Sequence, residues 1–308
     1  MTLRQKGILA LLIAVILWGP APVVTKLALQ EIPQFSLTFL RFAIATPIIF
    51  LLFFRQKNRQ IKKSDFLLFF IAGIVGSVIN SLFFFYGIQI TSATASQAIF
   101  TATPVITALL AHFFLNEKIK SLQWIGVLVG LTGATLVAVK GYFENGKVTD
   151  NSMLGNFLIF LAAISWVIYI LISKKLSARY SPTTITAVSF LIGLAAFIPF
   201  AIWENMVSSA WIGQLGFKGI FGAVYQGIFA SVLAVLAYQT GLKLTSAFAA
   251  GVILYLNPII TTLVAVPVLG EKITVLFLIG SILILLGSFI STQLEMVKNH
   301  VRKRIFRQ

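Results

Sequence analysis

Apolar residues in this chain run in long blocks rather than alternating with polar ones. A helix needs about 20 apolar residues to cross the hydrocarbon core of a bilayer. Ten blocks approach or reach that length, at approximately 7–29, 35–54, 66–89, 92–115, 120–139, 154–174, 183–203, 217–240, 245–268 and 273–294. They are separated by charge clusters, by prolines such as Pro33 and Pro182, or by turn-forming stretches such as ENGKVTDNS. The pattern predicts an all-α integral membrane protein of ten transmembrane helices. Block 245–268 is the least regular, because it carries Asn257, Pro258 and Pro267.

Composition agrees with a bilayer as solvent: 58% of residues are hydrophobic and 10% charged, with mean hydropathy +0.97. Soluble domains carry about 25% charged residues. The net charge of +16 would suggest nucleic acid in a soluble protein. Here the cations sit between apolar blocks, where they set membrane orientation, and no nucleic-acid partner is expected. Alternate loops carry 18 Lys and Arg on one side and four on the other, with Lys26 and Arg41 inside blocks. Both termini are therefore expected in the cytoplasm, with the chain in the cell inner membrane. The first block follows Arg4 and Lys6 as a secretory signal would, but it is longer than such a core, and nine further blocks follow. The tail 295–308, with RKRIFR, is a topology determinant or lies on the anionic leaflet.

The chain repeats itself. From Gly87 to Gly133, 20 of 47 residues are identical to Gly241–Gly287 at a fixed offset of 154. The matches include Thr91/Thr245, Pro104/Pro258, Glu117/Glu271, Lys118/Lys272, Gly126/Gly280 and Gly133/Gly287. Similar oiliness alone would match Leu with Ile, not prolines and a Glu-Lys pair. Trp18 and Lys26 echo Trp166 and Lys174 with the same spacing. The expected halves are 1–148 and 149–294, each of five spans. Five is odd, so the second half enters the membrane inverted, the usual build of a secondary transporter with its site between the repeats.

These features resemble the EamA family of the drug/metabolite transporter superfamily: ten spans in two five-helix repeats, WG late in the first span with Lys eight residues after the Trp, and P-x(12)-E-K in spans four and nine. The resemblance covers essentially the whole chain. It implies helices 1, 3, 4, 6, 8 and 9 around a central cavity. It also implies alternating-access transport of a small metabolite, often an amino acid and frequently outward. Lipid or polyprenyl-carrier translocation is the competing cargo class.

Candidate cavity residues are the polar groups that hydrocarbon would not tolerate. In TSATASQAIFTATP, Gln97, Thr101 and Pro104 share one helical face, and their repeat partners are Gly251, Tyr255 and Pro258. That face forms a wet wall, or its small hydroxyl residues let helices pack closely. Trp18 and Trp166 lie too deep in their blocks for an interfacial belt, with Tyr169 three residues after Trp166. Asn80 and Tyr238 are also placed inward, and the cavity reading of Tyr225 and Gln226 stays open. Arg41 meets an anionic substrate group or snorkels outward, and Lys26 is expected to snorkel. Glu117-Lys118 and Glu271-Lys272 close spans four and nine as structural locks or alternating gates. Each acid there needs a partner, because it opposes the helix dipole. Gly126, Gly130 and Gly133 read as close helix packing, and a monomer or weak homodimer is expected.

The chemistry that is missing narrows the function. There is no cysteine, two histidines, and no P-loop, so no cofactor, metal or direct ATP drive is expected. All eight carboxylates fall at block ends or in loops, which leaves His112 as the lone in-block candidate for carrying a proton. Facilitated diffusion or exchange is expected. A membrane enzyme would need paired acids, a metal set or an activated nucleophile.

Overall fold

The computed structural model describes residues 1–56, 60–103, 105–106, 110, 121–145, 151–244 and 256–292. Helices and short connections make up all of them, with no strand among the described residues. Among the described residues six helices are long and apolar enough to cross a membrane: Gln5–Ala28, Gln34–Phe54, Lys63–Ile90, Ser152–Ser177, Pro182–Val207 and Phe217–Gly241. Shorter apolar helices cover Trp124–Val137, Asn257–Leu269 and Val275–Gly287. Large apolar side chains such as Leu67, Leu128, Leu263 and Phe217 are exposed on the outside of the bundle, as contact with lipid requires.

The first block is broken rather than continuous. Helix α1 (Leu3–Trp18) stops at Gly19-Pro20, and α2 (Ala21–Ala28) follows. Pro20 and Pro22 lack the N–H groups that would continue the ladder, and with the helix broken there the carbonyls at the junction need other donors. Tyr225 Oη donates to the Leu17 carbonyl at 2.8 Å, and Thr261 Oγ1 donates to that of Gly19. A Cβ on Gly19 would lie 2.5 Å from Ile260 Cγ2, so the break is also a point of close helix approach.

Helix α3 (Gln34–Phe54) runs back across the bundle. The next crossing comprises α4 (Phe66–Gly73), a π-helical segment Ile74–Ile79, and α5 (Asn80–Ile90). After a short turn comes α6 (Ala93–Phe100), then α7 (Ser121–Asn145), α8 (Asn151–Ser177) and α9 (Pro182–Val207). A single turn α10 (Ala210–Gly213) leads to α11 (Phe217–Val224), a second π segment Tyr225–Leu233, and α12 (Ala234–Leu244). Helices α13 (Asn257–Leu269) and α14 (Val275–Thr292) complete the described chain.

The most extensive packing joins α7 with α14, α3 with α9, α1 with α12, and α5 with α8. Glycines set the closest of these contacts. On α7 and α14, a Cβ on Gly133 would lie 2.5 Å from the Gly280 carbonyl, and one on Gly287 would lie 2.5 Å from that of Gly126. The glycines read from the sequence as packing sites therefore do pack helix against helix. Gly87 similarly meets the Gly155 carbonyl at 2.9 Å, and Gly241 that of Gly7 at 3.0 Å.

Helix ends at one end of the bundle are tied by carboxylates. Glu204 accepts from the Phe35 and Ser36 amides at 3.2 and 2.7 Å, and so closes the N-terminus of α3. Glu31 accepts from Gly216 and Gly219 at 3.0 and 2.6 Å, at the start of α11. Glu271 accepts from the Ala93 and Thr94 amides at 2.6 and 3.0 Å and from Thr94 Oγ1 at 2.8 Å, at the start of α6. The first amides of a helix have no internal acceptor and carry its positive dipole end, so an anion suits each position. At the opposite end, Asp65 accepts from Tyr180 Oη at 2.7 Å and pairs with Arg179 at 3.3 Å. That carboxylate holds the Tyr180 phenol above its ordinary range.

Candidate functional site

A cavity of about 230 Å³ lies within the bundle, between the first crossing, the two π-containing crossings, α6, α8 and the start of α13. Its position follows from local backbone irregularity. A π segment displaces the helical register and leaves carbonyls misaligned with their usual donors, and such segments recur at functional sites. Both π segments here take donors from neighbouring helices. Trp18 Nε1 donates to the Ala230 carbonyl at 2.9 Å, and Ser165 Oγ donates to the Val75 carbonyl at 2.6 Å.

Seven of the residues expected from sequence border this cavity: Trp18, Arg41, Asn80, Gln97, Thr101, Trp166 and Tyr169. Trp18 is pinned by its indole bond and braced by Tyr238, whose ring centroid is 5.4 Å away. Tyr238 therefore supports the wall from behind and is not itself among the lining residues. Trp166 and Tyr169 stack at 5.3 Å. Gly76 makes room for that pair, since a Cβ there would lie 2.3 Å from Tyr169 Cδ2. Asn80 spends Nδ2 on the Ala162 carbonyl at 2.8 Å, and Thr101 Oγ1 donates to the Gln97 carbonyl at 2.9 Å.

Arg41 reaches the cavity instead of snorkelling. Its Nε donates to Ser231 Oγ at 2.7 Å, and its Cζ lies 5.1 Å from the Phe42 ring centroid and 5.9 Å from that of Phe85. No carboxylate pairs with it among the described residues. Lys26 turns its ammonium onto the Thr91 carbonyl at the end of α5, which ties α2 to α5.

The Glu271 constraint has a clear local origin. Gly270 adopts φ 64°, a left-handed conformation that ends α13, and its N–H closes on the Val266 carbonyl at 3.1 Å. The chain then swings Glu271 away from the negative end of its own helix and onto the positive end of α6. Lys272 is exposed and forms no ion pair among the described residues. Pro258 sits in the first turn of α13, where a missing N–H is tolerated. Pro104, Glu117, Lys118, Tyr255, His112 and the tail 295–308 lie outside the described residues.

Two of the lining amides were not selected from the sequence. Gln226, left open there, donates its amide to the Ala21 carbonyl at 3.1 Å and to Thr25 Oγ1. Asn257 borders the cavity while its side-chain oxygen is buried and unpartnered among the described residues. Its neighbour Pro258 made it look like helix punctuation. The only available signal was a second amide on a face related to that of Thr103 by the 154-residue offset.

The family model for EamA-like transporters matches residues 5–139 and, a second time, residues 153–293. The chain belongs to the EamA-like transporter family. Relatives of this EamA-family chain include an uncharacterized transporter of Bacillus subtilis, YetK, which is 27% identical over 94% of this chain and 87% of its own length. Another, from Clostridium kluyveri, is 25% identical over 97% of both chains and is also named an uncharacterized transporter. One solved crystal structure, 21% identical, superposes with a TM-score of 0.64 over 94% of the EamA-family chain and 98% of its own, a likeness of fold. Membership in this family and the apolar helices make the protein a multi-pass membrane transporter of small molecules.

Proposed function

We propose that this protein is a secondary transporter that carries a small organic metabolite, an amino acid or related compound, out across the cytoplasmic membrane by alternating access. In this reading ten spans form two inverted five-helix repeats, 1–148 and 149–294, with both termini in the cytoplasm. The observation that carries it is the cavity, walled by Trp18 and Trp166 from equivalent places in the two halves. Several further features support the repeat. The family model matches twice. The π segments Ile74–Ile79 and Tyr225–Leu233 overlap at an offset of 154. The contact of Gly133 with Gly280 becomes that of Gly287 with Gly126 when the halves are exchanged. The pairs α7 with α14 and α3 with α9 map onto themselves, while α1 with α12 maps onto α8 with α5.

On this reading Glu31, Glu204 and Glu271 all hold the outward end shut. Their release would let one half rock against the other and open the cavity outward. A metabolite-efflux comparison of cells expressing wild type or Gln97→Ala tests the reading. Wild type is expected to lower the internal level of a limited set of metabolites, and the variant to lose that effect. Equal leakage of every compound from both strains would overturn it.

A further inference from the structure

The charge of the cargo can be argued from the cavity, given the transporter reading above. Arg41 is the one cation bordering it among the described lining residues, and no acid borders it there. Four carboxylates are taken up at helix ends: Glu31, Glu204 and Glu271 by amides, Asp65 by Tyr180 and Arg179. The Arg41 guanidinium uses Nε on Ser231, and its terminal nitrogens have no described partner. Asn257 adds a second requirement, since its buried side-chain oxygen accepts no hydrogen bond among the described residues. An uncompensated cation and an unmet acceptor in one cavity are both relieved by a ligand bearing an anion and a donor.

We infer that the cavity takes a small organic monoanion, with its carboxylate on Arg41, a hydroxyl or N–H donated to Asn257, and its apolar body against Trp18 and Trp166. A zwitterionic amino acid would leave the loaded cavity at net positive charge, whereas a hydroxy acid or N-acylated amino acid brings it to neutrality. The direction of transport follows. A monoanion that crosses without a coupled ion is driven out of a cell whose interior is negative, by about 2.3 kcal/mol per 100 mV. That corresponds to roughly a 40-fold gradient at 1.4 kcal/mol per decade. Export of such a cargo needs no proton carrier within the bundle.

The test uses the full chain in liposomes with a potassium diffusion potential set by valinomycin. The radiolabelled probes are 3-phenyllactate, phenylalanine and 3-phenyllactamide. Phenyllactate is expected to accumulate roughly 40-fold with the interior 100 mV positive, above the leak of protein-free liposomes. Phenylalanine should be carried at least tenfold more slowly and without response to the potential, and the amide should behave likewise. Arg41→Gln should abolish the preference for phenyllactate over its amide, and Arg41→Lys should keep it. If phenylalanine or the amide is carried faster than phenyllactate by wild type, the anion assignment is overturned while the transporter reading stands; this comparison needs no variant. If phenyllactate binds in an Arg41-dependent way and never accumulates, the site stands and the transport reading fails. Neither binding nor flux from folded protein overturns both.

Discussion

Removing the Glu271 carboxylate is the perturbation whose size is best fixed by the geometry. The side chain accepts from two amides and one hydroxyl at the start of α6, all within 3.0 Å. Hydrogen bonds to a charged group are worth about 1.5–3 kcal/mol each. Glu271→Ala deletes two such bonds to backbone amides, which costs about 3–6 kcal/mol if nothing replaces them. Water can reach this end of the bundle and recovers part of that, so the lower figure is the working value. Three kcal/mol is a factor of roughly 150 in an opening equilibrium at 1.4 kcal/mol per decade. Hydrogen exchange followed by mass spectrometry on the segment containing Ala93 and Thr94 reads that equilibrium directly. Glu271→Ala should speed exchange of those amides about 100-fold, while amides at the Asp65 end keep their wild-type rates. Glu271→Gln, which retains one acceptor oxygen, should fall between. Unchanged exchange at Ala93 and Thr94 in the alanine variant would refute the claim that this carboxylate holds the helix end.

Other expectations follow from the same contacts. Gly133→Leu and Gly287→Leu each push a side chain into a backbone that a Cβ already meets at 2.5 Å or less, so both should lower the thermal midpoint in detergent sharply. Gly270→Ala places a Cβ in a left-handed conformation that costs about 1–2 kcal/mol and should reproduce a weaker version of the Glu271→Ala exchange pattern. Trp18→Phe keeps the ring but removes the donor to the Ala230 carbonyl; a loss of transport larger than the loss of thermal stability is expected in paired flux and melting assays. Tyr180→Phe removes the bond to Asp65. Because Asp65 raises the phenol pKa, that bond's contribution is complete below the ordinary tyrosine pKa, about 10, and is lost as pH rises through the shifted value. The gap in melting temperature between wild type and Tyr180→Phe should accordingly be flat through neutral pH and close only in strong alkali.

Much of this architecture is legible in the sequence because a bilayer enforces coarse rules. Long apolar blocks, cations between them and polar residues inside them leave few arrangements, and seven of the eight candidate residues that the structure describes border the cavity. The glycine contacts were legible for a similar reason, since only closely approaching backbones give glycine an advantage over leucine in a membrane helix. Backbone irregularity was not legible. A π segment such as Ile74–Ile79 shifts register within an unbroken apolar run and changes no composition. The break at Gly19-Pro20 depends on donors from Tyr225 and Thr261, more than 200 residues away. Glu271 could be seen to need a partner, but not that the partner was the start of α6, because the left-handed turn at Gly270 decides where the carboxylate points.

Alternating access requires that one cavity between the two proposed halves of the chain open to each side of the membrane in turn. The natural chain lacks cysteine, so Gln97→Cys introduces a single thiol at the cavity wall. Its reaction with a membrane-impermeant maleimide can be timed from outside in whole cells and from the cytoplasmic side in inverted vesicles. Alternating access predicts labelling from both sides, and faster outside labelling when Glu271→Ala is added. A thiol that reacts from neither side, yet reacts readily with a lipid-soluble maleimide, would contradict it.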